Sequence, residues 1–282
     1  KPVSTKVLIL GSGTPNPDPA RTGAASAVVV NGVSYLIDAG VGVVRRAAAL
    51  SPTWGGEFSE LEVDSLGHVF ITHLHSDHTL GLADLLLTPW VMGREEPLKV
   101  FGPSGTTKML KHLRDAYEID IDYRTTGSQP SNISGSFFDA TEITEGEIFK
   151  DDNVTVQAFE VDHGNLKNSF GYVFETSDRR IVFSGDTGVS ESLKHHASGA
   201  DVLIHEVYSS EGFAQKTADW QNYHQAHHTS ASEVGIIARD AQPGILVLSH
   251  ILFWGVSVDS VLAEVREYFD GDVVIAEDYT VI

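Results

Sequence analysis

The sequence predicts an α/β protein in which two sheets lie beneath outer helices, with residues 1–282 forming one domain. Three observations carry this. Strand-length runs of Val, Ile, Leu, Phe and Tyr alternate with longer helical patterns along the whole chain, the intermixing expected of α/β layers. No repeat, low-complexity tract or linker divides the 282 residues. Run after apolar run ends in His, Asp or Glu, as happens where a ligand site gathers at the carboxyl ends of strands.

The chain opens strand, turn, strand, strand. Val7-Leu8-Ile9-Leu10 ends in Gly11-Ser12-Gly13-Thr14-Pro15, which lacks a following Gly-Lys-Ser/Thr and reads as a loop near the site, not a nucleotide cradle. Residues 27–30 and 35–38 flank Asn31-Gly32, a strong hairpin signal. Residues 42–50 form a helix that Pro52 stops. His68-Val69-Phe70-Ile71-Thr72 reads as a buried strand and residues 79–87 as a Leu-rich helix. Another helix covers 104–117, and the Ser/Thr/Gly/Asn/Pro-rich stretch 124–136 reads as the long surface loop. Strands follow at 154–159, 170–174, 181–183 and 202–204, then a helix at 230–239, a strand at 245–248, a helix at 257–269 and a last strand at 273–276.

Composition excludes several classes. There is no cysteine, hence no thiolate ligand, disulfide or cysteine nucleophile. Thirty-nine acidic residues against 19 basic give a net charge of −20, a field that repels polyanions and disfavours nucleic acid as a partner. No apolar run reaches the roughly 18–20 residues of a membrane span. Lys1-Pro2 opens the chain without an initiator Met or signal h-region, which points to a processed product and a periplasmic or secreted location.

The chemistry concentrates in His73-Leu74-His75-Ser76-Asp77-His78, on a strand-to-helix turn where alternate side chains can face one spot. Neutral imidazoles and carboxylates are the usual ligands of zinc and similar divalent ions, so the hexad reads as a metal site. Other strands end in Asp162-His163, Gly185-Asp186, His205-Glu206 and Ser249-His250, which supply His163, Asp186 and His250 to complete it. His73, His75, Asp77, His78, His163, Asp186 and His250 are too many ligands for one tetrahedral zinc with an open position, and enough for two ions if a carboxylate bridges. Two ions a few ångströms apart can hold a bridging hydroxide and clamp attacking and leaving oxygens. Phe253-Trp254, Trp220 and Tyr223 either wall a leaving group or pack the core. His68, His112, His195 and His196 read as ordinary surface or capping residues, while His205 and His224 are intermediate.

Those seven residues make the sequence resemble the metallo-β-lactamase-fold hydrolases, whose hallmark is His-x-His-x-Asp-His with a later His, Asp and His. The resemblance covers nearly the whole chain. It implies an αββα four-layer sandwich of two mixed sheets, with two divalent metal ions at one edge, usually zinc, with manganese or iron as alternatives. It also implies that His73, His75 and His163 hold one ion and Asp77, His78 and His250 the other, with Asp186 bridging.

Leu10-Gly11-Ser12-Gly13-Thr14-Pro15, Leu36-Ile37-Asp38-Ala39-Gly40, Ser184-Gly185-Asp186-Thr187, His205-Glu206-Val207-Tyr208 and His228-Thr229-Ser230-Ala231 are similar to the ribonuclease Z branch. That similarity implies a Glu206–His228 pair assisting leaving-group protonation, His228 being preferred over His227 by its spacing into the following helix. Asp77, Glu206 and His228 are the expected catalytic residues. Two departures stand out: no basic, Gly/Pro-rich tRNA-clamping arm is found, and the charge is acidic. Segments 101–106, 150–156, 207–213 and 220–224 resemble an arylsulfatase-type subgroup instead. With two divalent ions against Asp77, Asp186 and one hydroxide, the pocket keeps a charge of about +1, which attracts a small anionic ester. The expectation is therefore hydrolysis of an aryl sulfate or phosphodiester, with lactonase and ribonuclease Z-type tRNA 3′ endonuclease as alternatives. No membrane partner is expected, and a homodimer is compatible with the sequence.

Overall fold

Two seven-stranded mixed sheets organise the chain, and helices pack on each. The computed structural model describes residues 4–282, so the opening Lys1-Pro2 lies outside the described residues. The chain divides into two compact units, one on each sheet, unit 1 holding 15–143 and unit 2 holding 144–277 apart from short exchanged terminal segments.

Unit 1 comprises β1 (Lys6–Gly11), β2 (Ala25–Val30), β3 (Val33–Ile37), α1 (Val43–Ala49), β4 (His68–Phe70), α2 (Ser76–Thr79), α3 (Leu82–Val91), β5 (Leu98–Gly102), α4 (Thr106–Ala116), α5 (Glu118–Thr126), β6 (Phe138–Glu142) and the final strand of the chain, β14 (Thr280–Val281). Its sheet runs β14-β1-β2-β3-β4-β5-β6. The β1–β3 end is antiparallel, and β3 to β6 are parallel. The Asn31-Gly32 hairpin forms as expected, with φ of 51° and 81° at its two turn residues. Leu8, Leu10, Leu36, Val69 and Val100 pack with Val44, Leu82, Leu85, Leu86 and Trp90 of the helices in one core. Val7 and Ile9, on the opposite face of β1, are buried too, which is why these strands read as unbroken apolar runs. Arg94 sits inside this unit, donating to the carbonyls of Leu66, Leu85, Leu86, Glu96 and Gly135, and burial pushes its guanidinium down to about 10.

Unit 2 comprises β7 (Gly146–Lys150), β8 (Thr155–Glu160), β9 (Phe170–Glu175), β10 (Arg180–Phe183), α6 (Glu191–Ala197), β11 (Val202–Tyr208), α7 (Ser210–Ala214), α8 (Ala218–His227), α9 (Ala231–Ala241), β12 (Ile245–Leu252), α10 (Val258–Arg266) and β13 (Asp272–Ile275). Its sheet runs β13-β12-β11-β10-β9-β8-β7, antiparallel from β7 to β10 and parallel from β10 to β13. Val182, Leu203, Leu246 and Leu248 pack with Leu193, Val234, Ile237, Val261 and Val265 in its core. A capping box, Ser230 with Glu233, starts α9.

The structure corrects four local expectations. The 79–87 helix is two: α2 begins at Ser76, and the chain breaks where Gly81 N–H donates to Ala39 O (2.8 Å) instead of continuing the helix. The 124–136 loop is shortened because α5 runs to Thr126, with Asp120 accepting from Arg124 one turn on. The strands expected at 202–204 and 245–248 continue to Tyr208 and Leu252, so Glu206 and His250 lie within strands and not after them. The helix expected over 257–269 ends at Arg266.

Candidate metal centre

In unit 1 the hexad leaves β4 and enters α2. His73 and His78 are buried, with ring centroids 4.2 Å apart; His73 and His75 are 4.8 Å apart. Asp38, just after β3, holds this group together. Its Oδ1 accepts from Thr72 N–H (2.8 Å), and its Oδ2 lies 2.7 Å from His78 Nδ1 and accepts from the Thr72 hydroxyl (2.9 Å). Because the Thr72 hydroxyl proton goes to Asp38, its oxygen is left to accept from His73 Nδ1, 2.9 Å away. One carboxylate thus fixes both imidazoles with the proton on Nδ1 and Nε2 as the ligand nitrogen, the arrangement that carries a divalent ion. Asp38 adopts φ 61°, left-handed backbone for a residue other than glycine, as at sites where geometry is imposed by function.

In unit 2, His163 follows β8, and its Nδ1 donates to His227 O (2.7 Å) at the end of α8, again leaving Nε2 for a ligand. Asp186 follows β10 and is buried. His250 reaches it by a bulge: His205 pairs with Leu248 and Val207 with Ile251, so β12 has one residue more than β11 between those pairs. His250 takes φ 51° there, and the bulge turns its ring so that Nε2 lies 3.4 Å from Asp186 Oδ2. Asp77 Oδ2 and His78 Nε2 in unit 1 are likewise 3.4 Å apart. Two ligands on a tetrahedral ion at about 2.0–2.1 Å are about 3.4 Å apart, so the spacing within each pair is that of two groups sharing a cation.

Beside Asp186, buried Glu206 accepts from Thr187 N–H (2.9 Å) and pairs through Oε1 with His228 Nδ1 (2.8 Å). Burial, and then the charge of Asp186, push the Glu206 carboxyl well above the usual carboxylate range. A proton is therefore readily kept on this pair. His228, and not its neighbour His227, is the ring beside Glu206; His227 contributes its carbonyl to His163.

The remaining histidines separate cleanly. His68 lies against Tyr35 and His196 against Phe159, and His112 and His195 are exposed. His205 is wholly buried behind Glu206, and burial lowers it to about 4. His224 stands between Trp220 and Trp254. Asp38 and Thr72 are the site residues that the motif analysis missed. The rule that strands end in ligand-type residues, applied to Tyr35-Leu36-Ile37-Asp38, finds the first of them.

Residues 34–251 match the model of the beta-lactamase superfamily domain. The ribonuclease Z of Mycobacterium sp. (strain KMS) is 33% identical over 251 residues, covering 88% of this chain and 84% of the relative. That of Mycobacterium bovis (strain BCG / Pasteur 1173P2) is 32% identical over 248 residues, covering 87% and 85%. Among solved structures, the metallo-β-lactamase fold protein YhfI from Bacillus subtilis gives a TM-score of 0.75 at 19% identity, covering 99% of this chain and 98% of that one. Human tRNase Z, short form, gives 0.70 at 23% identity, covering 98% of each chain. At these identities the two structures establish the fold.

Proposed function

The chain belongs to the β-lactamase superfamily as a metal-dependent hydrolase of the metallo-β-lactamase fold, with relatives named ribonuclease Z, and we propose that the bond it hydrolyses is a phosphodiester. In this reading His73, His75 and His163 would hold one divalent ion and Asp77, His78 and His250 a second, with Asp186 shared. When bound, such ions neutralise charge on a phosphoryl group and activate water.

The observation that carries the reading is the buried Glu206–His228 pair, 2.8 Å apart. Glu206 accepts from His228 Nδ1, which orients the ring and stabilises it when protonated, so the proton available to a leaving oxygen sits on Nε2. An alkoxide leaving group such as a ribose hydroxyl needs that proton. A nitrophenolate or an opening lactone needs it far less. The pair therefore favours a phosphodiester with a poor leaving group over the aryl sulfate expected from segments 101–106 and 207–213, and the ribonuclease Z name of the relatives points the same way.

A second reading keeps the same chemistry on a small anionic ester, and one observation favours it: the net charge of −20 leaves few cations to grip a polyanion. A turnover panel on zinc- and manganese-loaded protein separates the two, using precursor tRNA, a bis-aryl phosphate, an aryl sulfate and a lactone. Phosphodiester turnover exceeding sulfate and lactone turnover is the expected result. Efficient, salt-sensitive tRNA cleavage selects the endonuclease; turnover of the bis-aryl phosphate alone selects the small ester. Lactone or sulfate turnover exceeding both phosphodiesters overturns the proposal.

A further inference from the structure

Helix α8 carries Trp220 and Tyr223, yet none of its residues is buried. Trp220 is 55% exposed and Tyr223 is 42% exposed, so neither ring is explained by a core. Trp220 is instead the outer end of a row. Trp220 and His224 stand one turn apart on one face of α8, and His228 follows the end of the helix in extended backbone. Trp220 stacks on His224 with centroids 5.6 Å apart and planes at 22°, and His224 lies 6.1 Å from His228. The row thus runs from solvent to the ring paired with Glu206.

Trp254 closes its inner side, 4.5 Å from His224. That indole is held in place by its surroundings. Trp254 adopts φ 49°, its ring lies 5.5 Å from that of Tyr208, and Lys216 Nζ is 4.7 Å from its centroid. Gly212 underlies it: a Cβ there would stand 3.0 Å from Trp254 Cβ and would press the indole back by a few tenths of an ångström. Desolvation lowers His224 to about 4, which keeps its ring neutral between the two indoles.

We infer that Trp220, His224 and Trp254 form a stacking platform that selects esters bearing a planar aromatic group, a nucleobase or an aryl ring, beside the Glu206–His228 pair. The inference rests on the phosphodiester reading for the ester but not for the stacking. Aromatic faces accept any base or aryl ring, and the nearby Lys216 suits an anionic ester. The platform supplies recognition of one end of the substrate without a basic arm.

The test is calorimetric binding to zinc-loaded protein of adenosine 5′-monophosphate, phenyl phosphate and ribose 5-phosphate, the last lacking a ring. The wild type should bind at least one of the first two about tenfold more tightly than ribose 5-phosphate, within the usual range for a ring on an aromatic face. Trp220→Ala should remove that preference and Trp220→Phe should restore most of it, Trp220 being exposed enough for both to fold. A preference confined to adenosine 5′-monophosphate identifies a nucleobase; one confined to phenyl phosphate identifies an aryl group. No preference in the wild type, or an equal preference in Trp220→Ala, overturns the inference. Turnover of bis(p-nitrophenyl) phosphate by the same preparations distinguishes the failures. Stacking without turnover sinks the phosphodiester reading alone, and turnover without stacking sinks the platform alone.

Discussion

Replacing Asp38 separates the charge that orients the histidines from the backbone that carries it. The carboxylate takes Thr72 N–H at 2.8 Å and the Thr72 hydroxyl at 2.9 Å, and lies 2.7 Å from His78 Nδ1, all in a buried setting. Asp38→Asn tolerates the left-handed φ of 61°. Whichever way its amide turns, however, one N–H group then faces another donor. His78 relieves this by moving its proton to Nε2, which removes the ligand nitrogen. Zinc affinity should fall about 10–100-fold, or about 1.4–2.7 kcal/mol, the usual effect of losing such an outer hydrogen bond. Asp38→Ala leaves the buried donors unmatched and forces alanine into left-handed backbone, so metal-free protein should lose roughly 3–5 kcal/mol. Competition for zinc against a chromophoric chelator reads the first effect, and urea unfolding of metal-free protein the second. Wild-type zinc affinity in Asp38→Asn, or equal stability of the Ala and Asn variants, would refute the reasoning.

Three further outcomes are expected. His228→Ala should slow esters in proportion to leaving-group basicity, sparing nitrophenyl esters and losing about 10²–10⁴-fold on alkoxide esters; an equal loss across a leaving-group series would show that His228 only binds substrate. His205, held near 4 when folded against an ordinary value of 6.5, stays neutral in the fold while the unfolded chain takes up a proton. Its contribution is complete above pH 6.5 and is lost towards pH 4, at about 1.4 kcal/mol per pH unit. His205→Asn should flatten the acid limb of urea midpoints in metal-free protein, and an unchanged slope would count against this. Arg94→Met should destabilise metal-free protein by roughly 2–4 kcal/mol in urea, since it strips a shared donor from five carbonyls; a loss within about 0.5 kcal/mol of zero would contradict that role.

Much of this molecule was legible because its signals are local. The hexad, the Asn31-Gly32 hairpin and the alternation of strands with helices depend on neighbours in sequence, and each stands where the pattern put it. What escaped depends on partners far along the chain. Asp38 binds Thr72 and His78, 34 and 40 residues away, and no spacing rule joins them. His250 reaches Asp186 through a bulge set by the register of β12 on β11, which periodicity cannot show. The break at Gly81 comes from the carbonyl of Ala39, and α8 was overlooked because a helix with no buried residue leaves no apolar stripe. The branch within the family was the other difficulty. Segments 101–106 and 207–213 resemble an arylsulfatase-type subgroup, whereas the relatives bear the name ribonuclease Z, and the phosphodiester proposed above rests on the Glu206–His228 pair.

The central proposal is that His73, His75, Asp77, His78, His163, Asp186 and His250 would hold two ions, and elemental analysis of reconstituted protein tests it most directly. Dialysed wild-type protein should carry about two zinc or manganese ions per chain. Asp186→Ala should retain one or none and lose phosphodiester turnover, while its metal-free form keeps the wild-type circular dichroism spectrum. A reproducible single ion in fully active wild-type protein, or two ions retained by an active Asp186→Ala variant, would contradict the account.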